Sequence, residues 1–147
     1  MKSIKAQDIK RSWHLIDAKD QILGRISSQI AMTLMGKNKN YYVPYLDTGD
    51  YVVVINAKKV LLSGKKEDQK KYWRHSGYPG GLRVKKASQI RAHKPGDLIR
   101  HAVCGMLPKN TLGTKMLKKL FVYPDNQHPY IEKFAANQIQ NGSTRPR

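Results

Sequence analysis

The stretch Tyr51-Val52-Val53-Val54-Ile55 decides the fold. It is β-branched and nearly continuous in apolar side chains, which suits a central strand covered on both faces. Outward from it toward the N-terminus, Asp47-Thr48-Gly49-Asp50 reads as a turn, its two acids bracketing Thr48 and Gly49. Pro44 biases Val43 away from the helical region, so Tyr41–Tyr45 is expected to be extended. Gly36-Lys37-Asn38-Lys39-Asn40 is a polar, basic connection. Upstream, Leu23, Ile26, Ile30 and Leu34 fall at helical spacing and predict a helix over 23–35, with Gly36 as its stop. Residues 13–17, Trp-His-Leu-Ile-Asp, read as a first strand, followed by a turn at Lys19-Asp20.

Toward the C-terminus, Val60-Leu61-Leu62 reads as a second short strand and Ser63 to Gln69 as a charged loop. Tyr72-Trp73 is expected to be extended, and His75 to Gly81, with three glycines and a proline, to be an irregular loop. Helical character returns near Lys86–His93, breaks at Pro95-Gly96 and resumes through Asp97–Gly105, with Ile99, Val103 and Met106 on one face. Pro95 and Asp97 fit a helix N-terminus, and Pro108 ends the segment. Leu112, Met116 and Leu120 predict a short third helix before a strand at Phe121-Val122-Tyr123. The alternation of strands and helices argues for one α/β domain. Residues 1–12 read as a mobile basic arm, 13–123 as the domain, and 124–147 as a polar extension whose end, NGSTRPR, is expected to be disordered.

Charge narrows the function. The 147 residues carry 28 Lys and Arg against 10 Asp and Glu, a formal net charge of +18. Such a field attracts polyanions and exceeds what solubility asks for. Residues 58–94 hold 12 Lys and Arg against only Glu67 and Asp68, a local net of +10. The cations are spread along the chain rather than gathered on one amphipathic helix, which argues against a membrane surface and for nucleic acid. No apolar run approaches the ~18 residues of a membrane helix. A single cysteine, Cys104, excludes an internal disulfide and fits a reducing compartment.

Catalytic chemistry is missing from the sequence. Neither a Walker-type phosphate loop nor a G-x-G-x-x-G fingerprint is present, so no nucleotide cofactor is expected. The five histidines show no metal-ligand spacing with carboxylate support, and Cys104, in a mostly apolar stretch, reads as a small core residue. No small-molecule substrate is indicated.

Basic clusters interleaved with aromatic or glycine residues are present instead. Lys37 and Lys39 precede Tyr41 and Tyr42. Lys65 and Lys66 precede Lys70, Tyr72, Trp73, Arg74 and His75. Arg83, Lys85 and Lys86 form a third cluster, and Lys109, Lys115, Lys118 and Lys119 a fourth. Cations neutralise phosphates, and planar groups such as Trp73 and Arg74 stack on unpaired bases. Loops carry most of these residues, and nothing resembles a helix-turn-helix or zinc finger, which favours structured RNA over duplex DNA. Three structural readings stand beside this one: Tyr72 and Trp73 as edge-strand packing, Lys65-Lys66 as a solvated loop face, and Lys118-Lys119 as the polar side of a helix.

Several blocks, in order, resemble the large-subunit ribosomal protein thirteen family of bacterial and organellar type. They are Leu23-Gly24-Arg25, Gly36 to Lys39, Asp47 to Ala57, Ser63 to Lys66, Tyr72 to Gly81 and Gly105 to Lys109, and the likeness spans roughly residues 12–130. The resemblance implies a three-layer α/β/α domain with a small mixed, largely parallel sheet. It also implies a structural role: binding large-subunit ribosomal RNA beside neighbouring ribosomal proteins, joining assembly early, and no catalysis. On matching positions it favours Arg25, Lys37, Lys39, Lys65, Arg74, His75 and Lys109 as RNA contacts. The sequence departs from the family at Tyr45, where many bacterial members have histidine, at Asn110 in place of glycine, and at Thr114, where an arginine is missing. Trp13-His14, Tyr72–Gly81, Met106–Asn110 and His128-Pro129-Tyr130 look more similar to mitochondrial members, which places the chain in the mitochondrion, with bacterial cytoplasm or plastid as the alternatives.

Overall fold

The computed structural model describes residues 5–134. Two parallel strands, β1 (Trp13–Asp17) and β2 (Tyr51–Ile55), are joined through helix α1 (Leu23–Met35). All three elements have the boundaries the sequence pattern predicts. The third strand, β5 (Leu120–Val122), pairs in parallel with the other edge of β2, so the order is β1-β2-β5 with β2 central. Val52, Val53 and Val54 are fully buried, as an apolar strand between two covered faces requires.

The pleat divides the labour. Val52, Val54 and Leu120 point to the face where Ile26, Ile30 and Leu34 of α1 meet Ile99 and Val103 of helix α4 (Pro95–Met106). On the opposite face Trp13 stacks on Tyr51, with ring centroids 4.5 Å apart and planes 14° from parallel. Phe121 and Tyr130 join this stack at 5.9 and 5.0 Å from Trp13. The segment after β5 thus returns to cover that face. Its carbonyls at Tyr123, Pro124 and Asp125 also accept the amides of Ala57, Lys58 and Asn56. The polar C-terminal segment is therefore stitched to the domain as far as it is described. The NGSTRPR end lies outside the described residues.

Four expectations about the frame of the domain change. Leu61 makes one parallel bridge to Ile22 rather than a strand. Its backbone joins Gln21 and Leu23, and Leu23 already begins α1, so the ladder has nowhere to extend. Tyr41–Tyr45 turns instead of running extended, with Tyr42 N–H donating to Lys39 and Leu46 N–H to Val43. Leu120 opens β5 rather than completing the third helix, α5 (Thr111–Leu117). The N-terminal arm is pinned at residues 10–12, because the Ser12 amide donates to Asp50 and the Lys10 carbonyl accepts from Lys39.

Asn110 caps α5, its side-chain oxygen accepting the Gly113 amide at 2.8 Å. A glycine at this position would leave that amide without its side-chain acceptor. Asn110→Ala is expected to cost about 1 kcal/mol, seen as a lower urea midpoint with an unchanged slope. No change in midpoint would refute the capping role.

Candidate nucleic-acid interface

The densest positive block folds as a β-hairpin outside the sheet. After one helical turn, α2 (Lys66–Gln69), strand β3 (Lys71–His75) pairs antiparallel with β4 (Leu82–Lys86). The block HSGYPGG is the hairpin's closure rather than an irregular loop. Tyr78-Pro79-Gly80-Gly81 makes a turn with the Gly81 amide bonded to the Tyr78 carbonyl at 2.9 Å and Gly80 at φ +71°. Proline followed by a positive-φ glycine is the sequence a type II turn requires.

The register puts like charges together. Arg74 lies directly opposite Arg83, and Lys71 opposite Lys86. Like charges so placed oppose pairing by roughly 0.2–1 kcal/mol per pair. No acid relieves them in sequence, since none occurs between Asp68 and Asp97. The hairpin is therefore a cationic ribbon with no acid of its own to balance it.

One face of the ribbon looks back at the helices. Tyr72, Arg74, Arg83 and Lys85, with Trp73 and His75 also at its border, line a groove of about 1040 Å³ whose far wall is α3 (Ala87–His93) and α4. That wall adds His93, Lys94, Arg100 and His101, with Asp97 as the one acid. Tyr72 meets His101 edge-on at 5.1 Å, with Lys70 5.5 Å from its ring centroid. Burial pushes the Tyr72 hydroxyl's pKa up, so it stays a neutral donor beside these cations. Cys104 and Leu117 also border a second hollow of about 470 Å³ that holds Lys109, Asn110 and Thr111, so Lys109 adjoins the groove. Cys104 itself is exposed rather than part of the core.

The sequence reading missed His93, Lys94, Arg100 and His101 as groove residues. The signal available was the polar stripe 97, 100, 101, 104 along α4, turned away from Ile99 and Val103 at helical spacing. Of the expected cations, Arg25, Lys37, Lys65, Lys66, Lys86, Lys115 and Lys118 are exposed, but the groove does not gather them. Lys66 bonds the Ser63 hydroxyl at 2.9 Å.

Lys39 and Lys119 have internal partners. Lys119 is 6% exposed, and its ammonium pairs with Asp47 at 2.6 Å. Lys39 pairs with Asp50 and donates to the Thr48 and Lys10 carbonyls. Together with the Asp47–Asp50 loop they close the C-terminal end of α1. The Asp50 amide donates to Thr33, the Thr48 hydroxyl to Met35, and Lys119 to Leu34, at 3.2, 3.3 and 3.5 Å. Helix-end carbonyls need such donors, and a cation there opposes the helix dipole favourably. Burial pulls the Lys119 pKa down while Asp47 holds it up, with burial the larger influence. At Asp50 burial alone would raise the pKa, but hydrogen bonds from His14, Lys39 and the Ser12 amide overcome it and leave the carboxyl below its ordinary value.

A family model described as Ribosomal protein L13 matches residues 11–129. The large ribosomal subunit protein uL13 of Thermobifida fusca is 56% identical over 128 residues, covering 87% of this chain and 86% of the relative. That of Dictyoglomus thermophilum is 56% identical over 126 residues, covering 86% and 89%. That of Thermosynechococcus vestitus is 53% identical over 123 residues, covering 84% and 81%. Matches of this extent show that the chain belongs to the ribosomal protein L13 family, a family of structural ribosome components rather than enzymes.

Proposed function

We propose that this protein is built into the large ribosomal subunit, where it binds and organises ribosomal RNA during assembly beside neighbouring ribosomal proteins. Its main RNA contact is the β3–β4 hairpin and the groove behind it. The observation that carries this reading is the pair of opposed like charges, Arg74 with Arg83 and Lys71 with Lys86, on a ribbon that holds no acid. Around this centre the contact set takes in Lys70, Tyr72, Trp73, His75, Lys85 and Lys109, with Arg25, Lys37, Lys65, Lys66, Lys115 and Lys118 as outlying phosphate contacts. Lys39 and Lys119 are left out, because their ion pairs with Asp50 and Asp47 hold the end of α1. The relatives compared are bacterial, which favours a bacterial cytoplasmic ribosome over the mitochondrial one.

Sedimentation of the tagged protein from gently lysed cells tests the assignment. Co-migration with the large subunit through moderate salt is expected, and migration as a free small protein would overturn it. Arg83→Gln tests the contact. It removes one opposed pair, so the isolated protein should be unchanged or steadier by up to about 0.5 kcal/mol. Its affinity for a transcribed large-subunit RNA domain should fall, and the logarithmic salt slope should shrink by about 0.7–0.9, one phosphate contact. A loss of stability with unchanged RNA affinity would instead give Arg83 a structural role.

A further inference from the structure

The hairpin has two unlike faces. Strand alternation turns Tyr72, Arg74, Arg83 and Lys85 toward the groove, which Trp73 and His75 also border. On the other face Trp73 lies opposite Val84 and His75 opposite Leu82, with Lys71 opposite Lys86 where the strands leave the domain. Trp73 is 64% exposed, Leu82 53% and Val84 41%, so the described residues leave this face uncovered.

We infer that the outer face holds unpaired RNA nucleotides, with a base stacked on the Trp73 indole and adjoining phosphates on Lys71 and Lys86. The inference rests on the RNA-binding reading above. Charge selects the occupant. Whatever covers Trp73 must also accept two directly opposed ammonium groups that no carboxylate of the hairpin balances. The cores of protein–protein interfaces are depleted in lysine, so a protein partner suits this frame poorly. A nucleotide strand supplies a phosphate beside each base. Pairing state follows from geometry: a base within an A-form helix keeps both faces stacked on its neighbours, and only an unpaired base can offer one to an indole. The two faces thus read different features. The groove takes sugar-phosphate backbone, and the outer face requires single strand.

Two RNAs of equal length separate these roles, a short oligoadenylate and a fully paired duplex. Trp13 is the other tryptophan, so Trp13→Phe leaves Trp73 as the sole indole reporter. Oligoadenylate should quench Trp73 fluorescence and the duplex should not. Trp73→Ala should weaken oligoadenylate about tenfold and leave duplex affinity unchanged, while Arg83→Gln weakens both. Filter binding with the otherwise unaltered chain gives the same comparison if Trp13→Phe disturbs folding. Unchanged oligoadenylate affinity in Trp73→Ala, or equal weakening for both RNAs, would overturn the outer-face assignment while the groove reading stands. If neither variant alters binding of either RNA, the interface reading falls with it. A Trp73 buried in assembled subunits but unresponsive to oligoadenylate would also overturn the inference, in favour of a protein neighbour.

Discussion

Gly49→Ala is expected to strip the isolated chain of most of its stability. A Cβ at position 49 would sit 1.6 Å from the Leu34 carbonyl oxygen, 2.4 Å from its carbon and 2.9 Å from the Lys119 ammonium. The first two are backbone atoms in the last turn of α1, and they cannot swing aside as a side chain can. Moving the loop would separate the Asp50 amide from Thr33 and the Thr48 hydroxyl from Met35. It would also part Asp47 from Lys119, leaving a buried ammonium without its counter-charge. Clash, uncapped carbonyls and an orphaned charge act together, so the loss should exceed ~4 kcal/mol. That corresponds to a midpoint lowered by more than about 10 °C, or to no cooperative melt at all. Gly105→Ala is the control. It lies within α4 with nothing inside 4 Å of its would-be Cβ, and should be neutral or stabilising by up to about 1 kcal/mol. Similar small shifts for both variants would refute the close docking of the loop on α1.

The parallel sheet and α1 could be read from the sequence because burial writes a period. Val52 to Val54 show the continuous apolar run of a strand covered on both faces. Ile26, Ile30 and Leu34 show the stripe of a helix covered on one. The β3–β4 hairpin writes no such pattern. All five residues of β4 are exposed, and the apolar–polar alternation of Leu82-Arg83-Val84-Lys85 runs for only four residues among glycines and cations, too short to stand out as a strand. Its legible feature was charge, which identified the right residues for an interface without indicating that they form a ribbon.

The same limit applies to individual cations. Lys118 and Lys119 are adjacent and chemically identical, yet one is exposed and the other is nearly enclosed against Asp47. Composition cannot separate them, because the difference lies in a partner 72 residues away. Asp47 and Asp50 carried a usable hint. In a chain with 28 cations and 10 acids, two acids flanking Thr48-Gly49 are well placed to recruit cations as internal partners. Lys39 and Lys119, with Arg11 3.7 Å from Asp47, are the cations they recruit, and the acid-free hairpin retains its own.

Asp50→Asn should destabilise the protein by about 3 kcal/mol at neutral pH. The carboxylate is nearly enclosed and accepts from three directions: the Ser12 amide at 2.9 Å, His14 Nε2 at 3.0 Å, and the Lys39 ammonium. An amide keeps the shape but loses the charge: its NH2 group can turn to His14, whose Nε2 accepts in the other tautomer, and its oxygen to Ser12 and Lys39. Lys39 would then keep only uncharged acceptors, that oxygen and the Lys10 and Thr48 carbonyls, which cannot neutralise it. The dependence on pH has a definite sign. The folded carboxyl titrates below its ordinary value of 3.8, so the folded state binds this proton less readily than the unfolded chain. Its contribution is complete above the unfolded pKa and is lost as pH falls through the folded one. The gap between the wild-type protein and Asp50→Asn should therefore be widest near pH 7 and close progressively below about pH 4. Urea unfolding of both proteins at stepped pH reads this directly. A gap under about 1 kcal/mol at pH 7, or one that persists undiminished at pH 3, would mean that Asp50 contributes through shape rather than charge.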